Sequence, residues 1–184
     1  MVELIKRRRS CRKYLDRNIP EKIIEQLILS AVHAPGGWLS KPGSQGFRAI
    51  IIRDDSVKGK LALHYGDRQF IKTAPVIIAC LSDKTTDPKY NEWDISCALS
   101  IQNLLLAAES NNLGACFITC FLNSNDNTHK EQKQILRKVL GLPENIELVA
   151  LITLGYKDSS EIIEEKLLLD YDEVVSHEMF GKHK

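Results

Sequence analysis

The segment that most limits how this chain can fold is residues 93–112, WDISCALSIQNLLLAAESNN. The pattern predicts one long helix that ends near Asn112 and Gly114, with apolar side chains on most of its sides. Because a helix with so little polar surface is unstable in water, it has to be covered by other elements or by a second subunit. We therefore expect this helix to lie in the interior and partly against another copy of the chain.

The rest of the chain predicts a mixed α and β fold. Residues 74–83, APVIIACLSD, begin with the continuous apolar run that is typical of a strand covered on both faces. The Gly-, Pro- and Ser-rich residues 34–46 predict a loop longer than a simple connector needs to be, which is a common property of functional loops. Further strands are expected over 47–54, 115–122 and 146–156, and helices over 2–9, 21–34, 55–66 and 128–141.

Composition narrows the class of protein. At 184 residues, with 43% hydrophobic and 27% charged residues, the chain is expected to be a single globular domain over 1–184. The chain opens without the pattern of a signal peptide, and no apolar run is long enough to span a bilayer, so we expect a cytoplasmic protein with no membrane partner.

The chain has an odd number of cysteines, 5, which indicates that they are reduced thiols. Cys116 and Cys120 lack further ligands nearby, and no metal site is expected.

The basic charge is concentrated near the N-terminus, in IKRRRSCRKY at residues 5–14. A nucleic acid, the phosphate of a cofactor or simple exposure to solvent would each explain this cluster. The net charge of +1 gives no general attraction for a polyanion, and Tyr14 is the only aromatic residue close by, so no nucleic-acid partner is expected. Arginine suits phosphate because its planar fork donates paired, charge-assisted hydrogen bonds.

The side chains alone do not predict a reaction. The 5 histidines are far apart and have no metal-ligand spacing. Phosphate-loop and nucleophile-elbow motifs are both missing from the sequence. A basic cluster followed by a glycine-rich loop is instead consistent with a phosphorylated cofactor that supplies the chemistry itself.

Several motifs in the same order resemble the nitroreductase-like flavoproteins. The first is RRRSCRKY at residues 7–14, which is followed by a helix that ends in HAPGG at 33–37. The later ones are TAPVIIAC at 73–80, WDISCALSIQNLLLAAESNNLGACFI at 93–118, LRKVLGLPENIELVALITLGY at 136–156 and DEVVSHEMFG at 172–181. The resemblance implies an α+β fold with a central, mainly antiparallel sheet surrounded by helices. It also implies a homodimer with FMN bound at the subunit interface.

The resemblance assigns cofactor contacts by position. Arg8, Arg9, Ser10 and Arg12 correspond to contacts with the FMN phosphate and ribityl chain, and Lys166 to a late cation that returns to the phosphate. The loop at Pro35, Gly36 and Gly37 corresponds to the one against the edge of the isoalloxazine ring. Thr119 and Cys120 correspond to a strand end whose backbone faces the ring. A solvated basic turn remains the alternative for the arginines.

The sequence also departs from the family pattern. Leu39 stands where the family commonly has Asn, and Leu168 where it often has a second late cation. Cys120 stands where Gly is frequent, which predicts a thiol close to the flavin or the substrate. Residues expected to line the substrate pocket are Trp38, Lys41 and Phe121, although Trp38 could equally pack on the partner subunit.

The implied activity is that of an FMN-dependent oxidoreductase. NADH or NADPH would donate hydride, and a nitro, quinone-like or other small molecule would accept the electrons in the same pocket. No side chain is expected to act as an obligate acid or base, since the flavin carries the chemistry. Two alternatives stay open: dehalogenating or flavin-fragmenting chemistry within the same family, and a nucleotide- or RNA-binding protein that uses its basic N-terminus.

Overall fold

The computed structural model describes residues 2–35, 46–66, 68–86, 93–120, 127–161 and 168–182. The strands are β1 (Phe47–Ile52), β2 (Val76–Asp83), β3 (Leu113–Thr119) and β4 (Ile146–Tyr156). The helices are α1 (Val2–Arg7), α2 (Glu21–Val32), α3 (Asp55–Leu63), α4 (Gln69–Thr73), α5 (Trp93–Ser110), α6 (Asn127–Val139) and α7 (Tyr171–Val174). A short 3-10 helix, Lys84–Thr86, follows β2.

The strands form one sheet in the order β1-β2-β4-β3, and all three strand pairs are antiparallel. Ile50 pairs with Ala79, and Ala79 pairs in turn with Leu151. On the other side of β4, Gly155 pairs with Gly114 of β3. This sheet with its surrounding helices confirms the predicted α+β class.

Helices cover both faces of the sheet. One hydrophobic cluster packs α2 and α5 against one face, with Leu27, Ile78 and Leu104 among its members. The second packs α3, α4 and α6 against the opposite face and includes Ile77 and Leu136. Because consecutive strand residues point to opposite faces, Ile77 and Ile78 of β2 enter different clusters. The prediction that β2 is covered on both faces is therefore confirmed.

The long apolar helix has one buried side and one exposed side. Ile101, Leu104 and Ala108 of α5 are buried against the sheet and α2. On its other side, Ile95 is 58% exposed and Leu99 is 43% exposed. The described part of the chain covers these two side chains only in part.

Several element boundaries differ from the predicted ones. Helix α4 was not predicted, because its five residues are too few to show a helical period. Strand β3 begins at Leu113, where pairing with Tyr156 starts, so Gly114 lies within the strand and not in the turn before it.

None of the helices in the described ranges is both long and apolar enough to cross a membrane.

Candidate functional site

The basic N-terminal segment is hydrogen-bonded to strands β3 and β4. Ser10 forms a parallel bridge with Ala115 of β3, and the Cys11 N–H donates to the Ala115 carbonyl over 2.9 Å. Further along, the Leu15 N–H donates to the carbonyl of Tyr156 over 2.9 Å. These backbone bonds fix residues 10–15 across β3 and β4.

The Tyr14 side chain adds hydrogen bonds within the segment and to the sheet. Its hydroxyl donates to the carbonyl of Cys11 and lies 2.7 Å from Oγ1 of Thr153, a buried residue of β4. Because the phenol has a single proton, the Thr153 hydroxyl is the donor in the second bond. Burial raises the pKa of Tyr14, so its hydroxyl stays protonated. The tyrosine therefore links its own segment to the centre of the sheet.

A buried carboxylate holds α1 beside this segment. Glu109, in the last turn of α5, accepts from Lys157 Nζ at 2.6 Å and lies 3.6 Å from Nε of Arg7. Arg7 is thus paired within its own chain. Arg8 is half-buried, and no carboxylate of the described residues pairs with it.

A cleft of about 770 Å³ opens beside Arg12, between the N-terminal segment, α4 and the chain after β4. The Arg12 guanidinium carbon lies 5.9 Å from the centre of the Phe70 ring. The carboxylate of Glu161 accepts from the backbone N–H of Arg12 at 2.7 Å and of Lys13 at 3.3 Å. The cleft is lined by Arg12, Lys13, Tyr14, Gln69, Phe70, Thr73, Asp158, Ser160 and Glu161.

Sequence reasoning missed the residues that α4 and the chain after β4 bring to this cleft. Gln69 and Phe70 lie on a helix that was not recognised. Glu161 reaches Arg12 across 149 positions of sequence, and a contact at that separation leaves no local pattern. A single sequence therefore carries no signal for the residues that line the cleft opposite Arg12.

The predicted strand end at Thr119 and Cys120 has one exposed and one buried side chain. Thr119 is exposed at the end of β3, four residues after the bridge partner of Ser10, which is about 13 Å along a strand. Cys120 is fully buried, its sulfur lies 3.0 Å from the Tyr65 hydroxyl oxygen, and its N–H donates to Val149. Burial raises the pKa of this thiol to about 12. The side chain therefore turns into the core, and the expectation of a thiol close to the flavin or the substrate stays a prediction.

Several predicted site residues lie outside the described ranges. Pro35 is described and exposed, just after the end of α2. The remaining ones are Gly36, Gly37, Trp38, Leu39, Lys41, Phe121 and Lys166, and their roles stay predictions.

The described groups suit a flat, anionic cofactor such as FMN. Arg8 and Arg12 provide guanidinium groups on one short segment, and Phe70 gives the cleft an aromatic wall. The acids of the cleft are already engaged: Glu161 binds backbone N–H groups, and Asp158 accepts from the N–H of Ser160 at 2.8 Å. An anionic group near Arg12 would therefore meet carboxylates whose charge is partly compensated.

The chain is similar to known proteins in sequence and in structure. The nitroreductase family profile matches residues 5–68 and 62–156. A protein of Archaeoglobus fulgidus is 30% identical over 89% of this chain and 89% of its own length. A crystal structure from Parabacteroides distasonis has 27% identity and a TM-score of 0.82, and covers 97% of this chain and 98% of that one. Both carry the name "Putative NADH dehydrogenase/NAD(P)H nitroreductase".

Two further matches are proteins whose names state a cofactor or a reaction. The structure named FMN-dependent nitroreductase from Clostridium difficile has a TM-score of 0.81, covering 98% of this chain and 100% of that one, and its 24% identity supports the fold alone. Iodotyrosine deiodinase 1 of Mus musculus is 26% identical over 84% of this chain and 61% of its own length. The family profile spans well over half of the sequence, and the chain belongs to the nitroreductase family.

Proposed function

We propose that this protein is an FMN-dependent oxidoreductase that takes hydride from NADH or NADPH and passes the electrons to a small acceptor. The observation that carries the proposal is the segment Ser10–Leu15, which is hydrogen-bonded to β3 and β4 and places Arg12 beside an open cleft with an aromatic wall. Membership of the nitroreductase family supports both the cofactor and the reaction class.

The residues of this chain would hold the cofactor in two places. Arg8, Arg9 and Ser10 would bind the phosphate and the ribityl chain through charge-assisted hydrogen bonds. Arg12 would bind the same phosphate and ribityl groups, and the Phe70 ring, 5.9 Å from its guanidinium carbon, would lie beside the cofactor. When bound, FMN supplies the hydride and electron chemistry. The thiol of Cys120 takes no part in this scheme, since it is buried and protonated.

We further propose that the protein is a homodimer. The exposed face of α5 carries Ile95 and Leu99, and Phe117 of β3 is 46% exposed. The described C-terminal residues add several more apolar side chains that are largely in contact with water. Exposed apolar groups in this number favour burial against a second copy. The C-terminal ones are Leu168, Leu169, Tyr171, Val174, Met179 and Phe180.

The domain assignment and the location are proposals of the same kind. One sheet with a hydrophobic cluster on each face supports a single domain over residues 1–184. Five free cysteines support a reducing compartment, and we propose the cytoplasm.

Anaerobic mixing of the FMN-loaded protein with NADH or NADPH tests the activity. We expect the flavin absorbance near 450 nm to bleach with at least one of these donors and to return when a nitro compound or a quinone is added. Flavin that remains oxidised with both donors would contradict the proposed use of nicotinamide.

The similarity to iodotyrosine deiodinase 1 favours a second candidate, reductive dehalogenation. Release of iodide or bromide from a halogenated phenol by the dithionite-reduced protein would support that reaction. A salt-dependent complex between RNA and the flavin-free protein, together with failure to take up FMN, would instead favour the nucleotide-binding alternative.

A further inference from the structure

The N-terminal segment rests on two glycines that face each other in the sheet. Gly114 of β3 and Gly155 of β4 are direct cross-strand partners. Cys11 lies over Gly114, and Tyr14 lies over Gly155. We infer that this glycine pair is a positioning device that sets where Ser10 and Arg12 meet the cofactor.

Space, and not backbone conformation, explains the two glycines. The glycines with positive φ among the described residues are Gly66, Gly141 and Gly181, so neither member of the pair needs a left-handed backbone. A methyl group on Gly155 would lie 2.7 Å from Cβ, Cγ and Cδ1 of Tyr14. A methyl group on Gly114 would overlap the sulfur of Cys11 and lie 2.7 Å from its Cβ. Carbon atoms do not pack at such separations, so any side chain would lift the segment.

The contact of Cys11 and Tyr14 with this glycine pair, called the glycine seat below, also determines which side chains are exposed. Cys11 is fully buried against Gly114, and Tyr14 is held over Gly155 by its hydrogen bonds to Cys11 and Thr153. Between these two contacts Arg12 is exposed, and Ser10, just before them, is half-buried. A displacement of the segment by one methyl group would move both of these residues relative to the cleft.

This inference rests on the proposed FMN site, but it can be tested without activity. In the apoprotein the amide protons of Cys11 and Leu15 report the attachment directly, because they bond to Ala115 and Tyr156. Hydrogen exchange at these two amides should be slow in the wild type. A matched control is Gly59→Ala, since a methyl group on Gly59 meets no atom within 4 Å.

We expect Gly155→Ala to speed exchange at the Cys11 and Leu15 amides at least tenfold and to weaken FMN binding at least tenfold. Gly59→Ala should leave both quantities within a factor of two of the wild type. Faster exchange with unchanged FMN affinity would overturn the positioning role, because the seat would then serve stability alone. Unchanged exchange would overturn the seat itself.

A compensating pair guards against a variant that fails to fold. Gly114→Ala alone should behave like Gly155→Ala. The double variant Cys11→Gly with Gly114→Ala removes the overlap with Cys11 and leaves a contact of 3.1 Å with Cγ of the flexible Lys157 side chain, so it should recover FMN affinity to within threefold of Cys11→Gly. No recovery would contradict the inference. If the wild type took up no FMN, the proposed function would fail, while the exchange measurement would still decide whether the seat exists.

Discussion

The ammonium group of Lys157 lies 2.6 Å from the carboxylate of Glu109, whose side chain is only 6% exposed. Arg7 approaches the other oxygen of the same carboxylate to 3.6 Å. One buried charge therefore joins the end of α5, the residue after β4 and the end of α1. Because α1 leads directly into Arg8, this ion pair holds the start of the proposed phosphate-binding segment.

Replacing this carboxylate should destabilise the protein. Glu109→Gln leaves the Lys157 ammonium without its charge partner, and we expect the free energy of unfolding to fall by about 2 kcal/mol. The full cost of a broken buried pair is higher, but Lys157 keeps 34% of its side chain exposed and regains some hydration. Urea unfolding followed by circular dichroism measures the change.

The matched control is Glu3→Gln, which removes an exposed partner of Lys6. This pair is 3.1 Å long, with side chains 66% and 79% exposed, and should contribute less than about 0.5 kcal/mol. Equal effects of the two substitutions would show that the burial of Glu109 does not matter to stability.

The Asp83 carboxylate should make stability depend on pH in the acid range. It accepts from the Thr85 hydroxyl at 2.7 Å and from Asn145 at 3.2 Å, and these bonds hold its pKa below the ordinary value of 3.8. A lowered pKa stabilises the fold above pH 3.8, and this stabilisation is lost as the pH falls through the lower value of the folded protein. We expect Asp83→Asn to cost about 1 kcal/mol at pH 7 and less at pH 3.

Urea unfolding of both proteins at pH 7, 5 and 3 gives this difference, and Asp16→Asn serves as the control because Asp16 is exposed. A cost that stays constant down to pH 3 would mean that the charge of Asp83 is not what stabilises the fold.

The thiol of Cys120 should resist alkylation in the native protein. It is fully buried, and burial raises its pKa to about 12, so the reactive thiolate is scarce at pH 8. We expect iodoacetamide to label it at least ~100-fold more slowly in the folded protein than in urea. Peptide mass spectrometry follows the modification. Rapid labelling of the folded protein would show that the thiol is accessible and not buried in the core.

The sequence predicted the features that local patterns determine. The apolar runs of β2 and β4 and the apolar surface of α5 follow from residue periods, and the structure confirms these elements. The family motifs located the arginine segment, which lies at the sheet edge. Features that depend on distant contacts were missed: Glu161 bonds to Arg12 across 149 positions, and Gly114 is explained only by Cys11 above it. The helix that carries Phe70 was missed because it has a single turn.

Arg8 and its neighbours are proposed to anchor FMN, and titration of the apoprotein with FMN measures that contribution. Quenching of flavin fluorescence gives the affinity of the wild type, of Arg8→Ala and of Lys6→Ala, a control that removes the same charge two residues away. We predict that the wild type and Lys6→Ala bind FMN equally well and that Arg8→Ala binds at least ~10-fold more weakly. Equal affinity in all three proteins would contradict the anchor, and a wild type that binds no FMN would contradict the whole account.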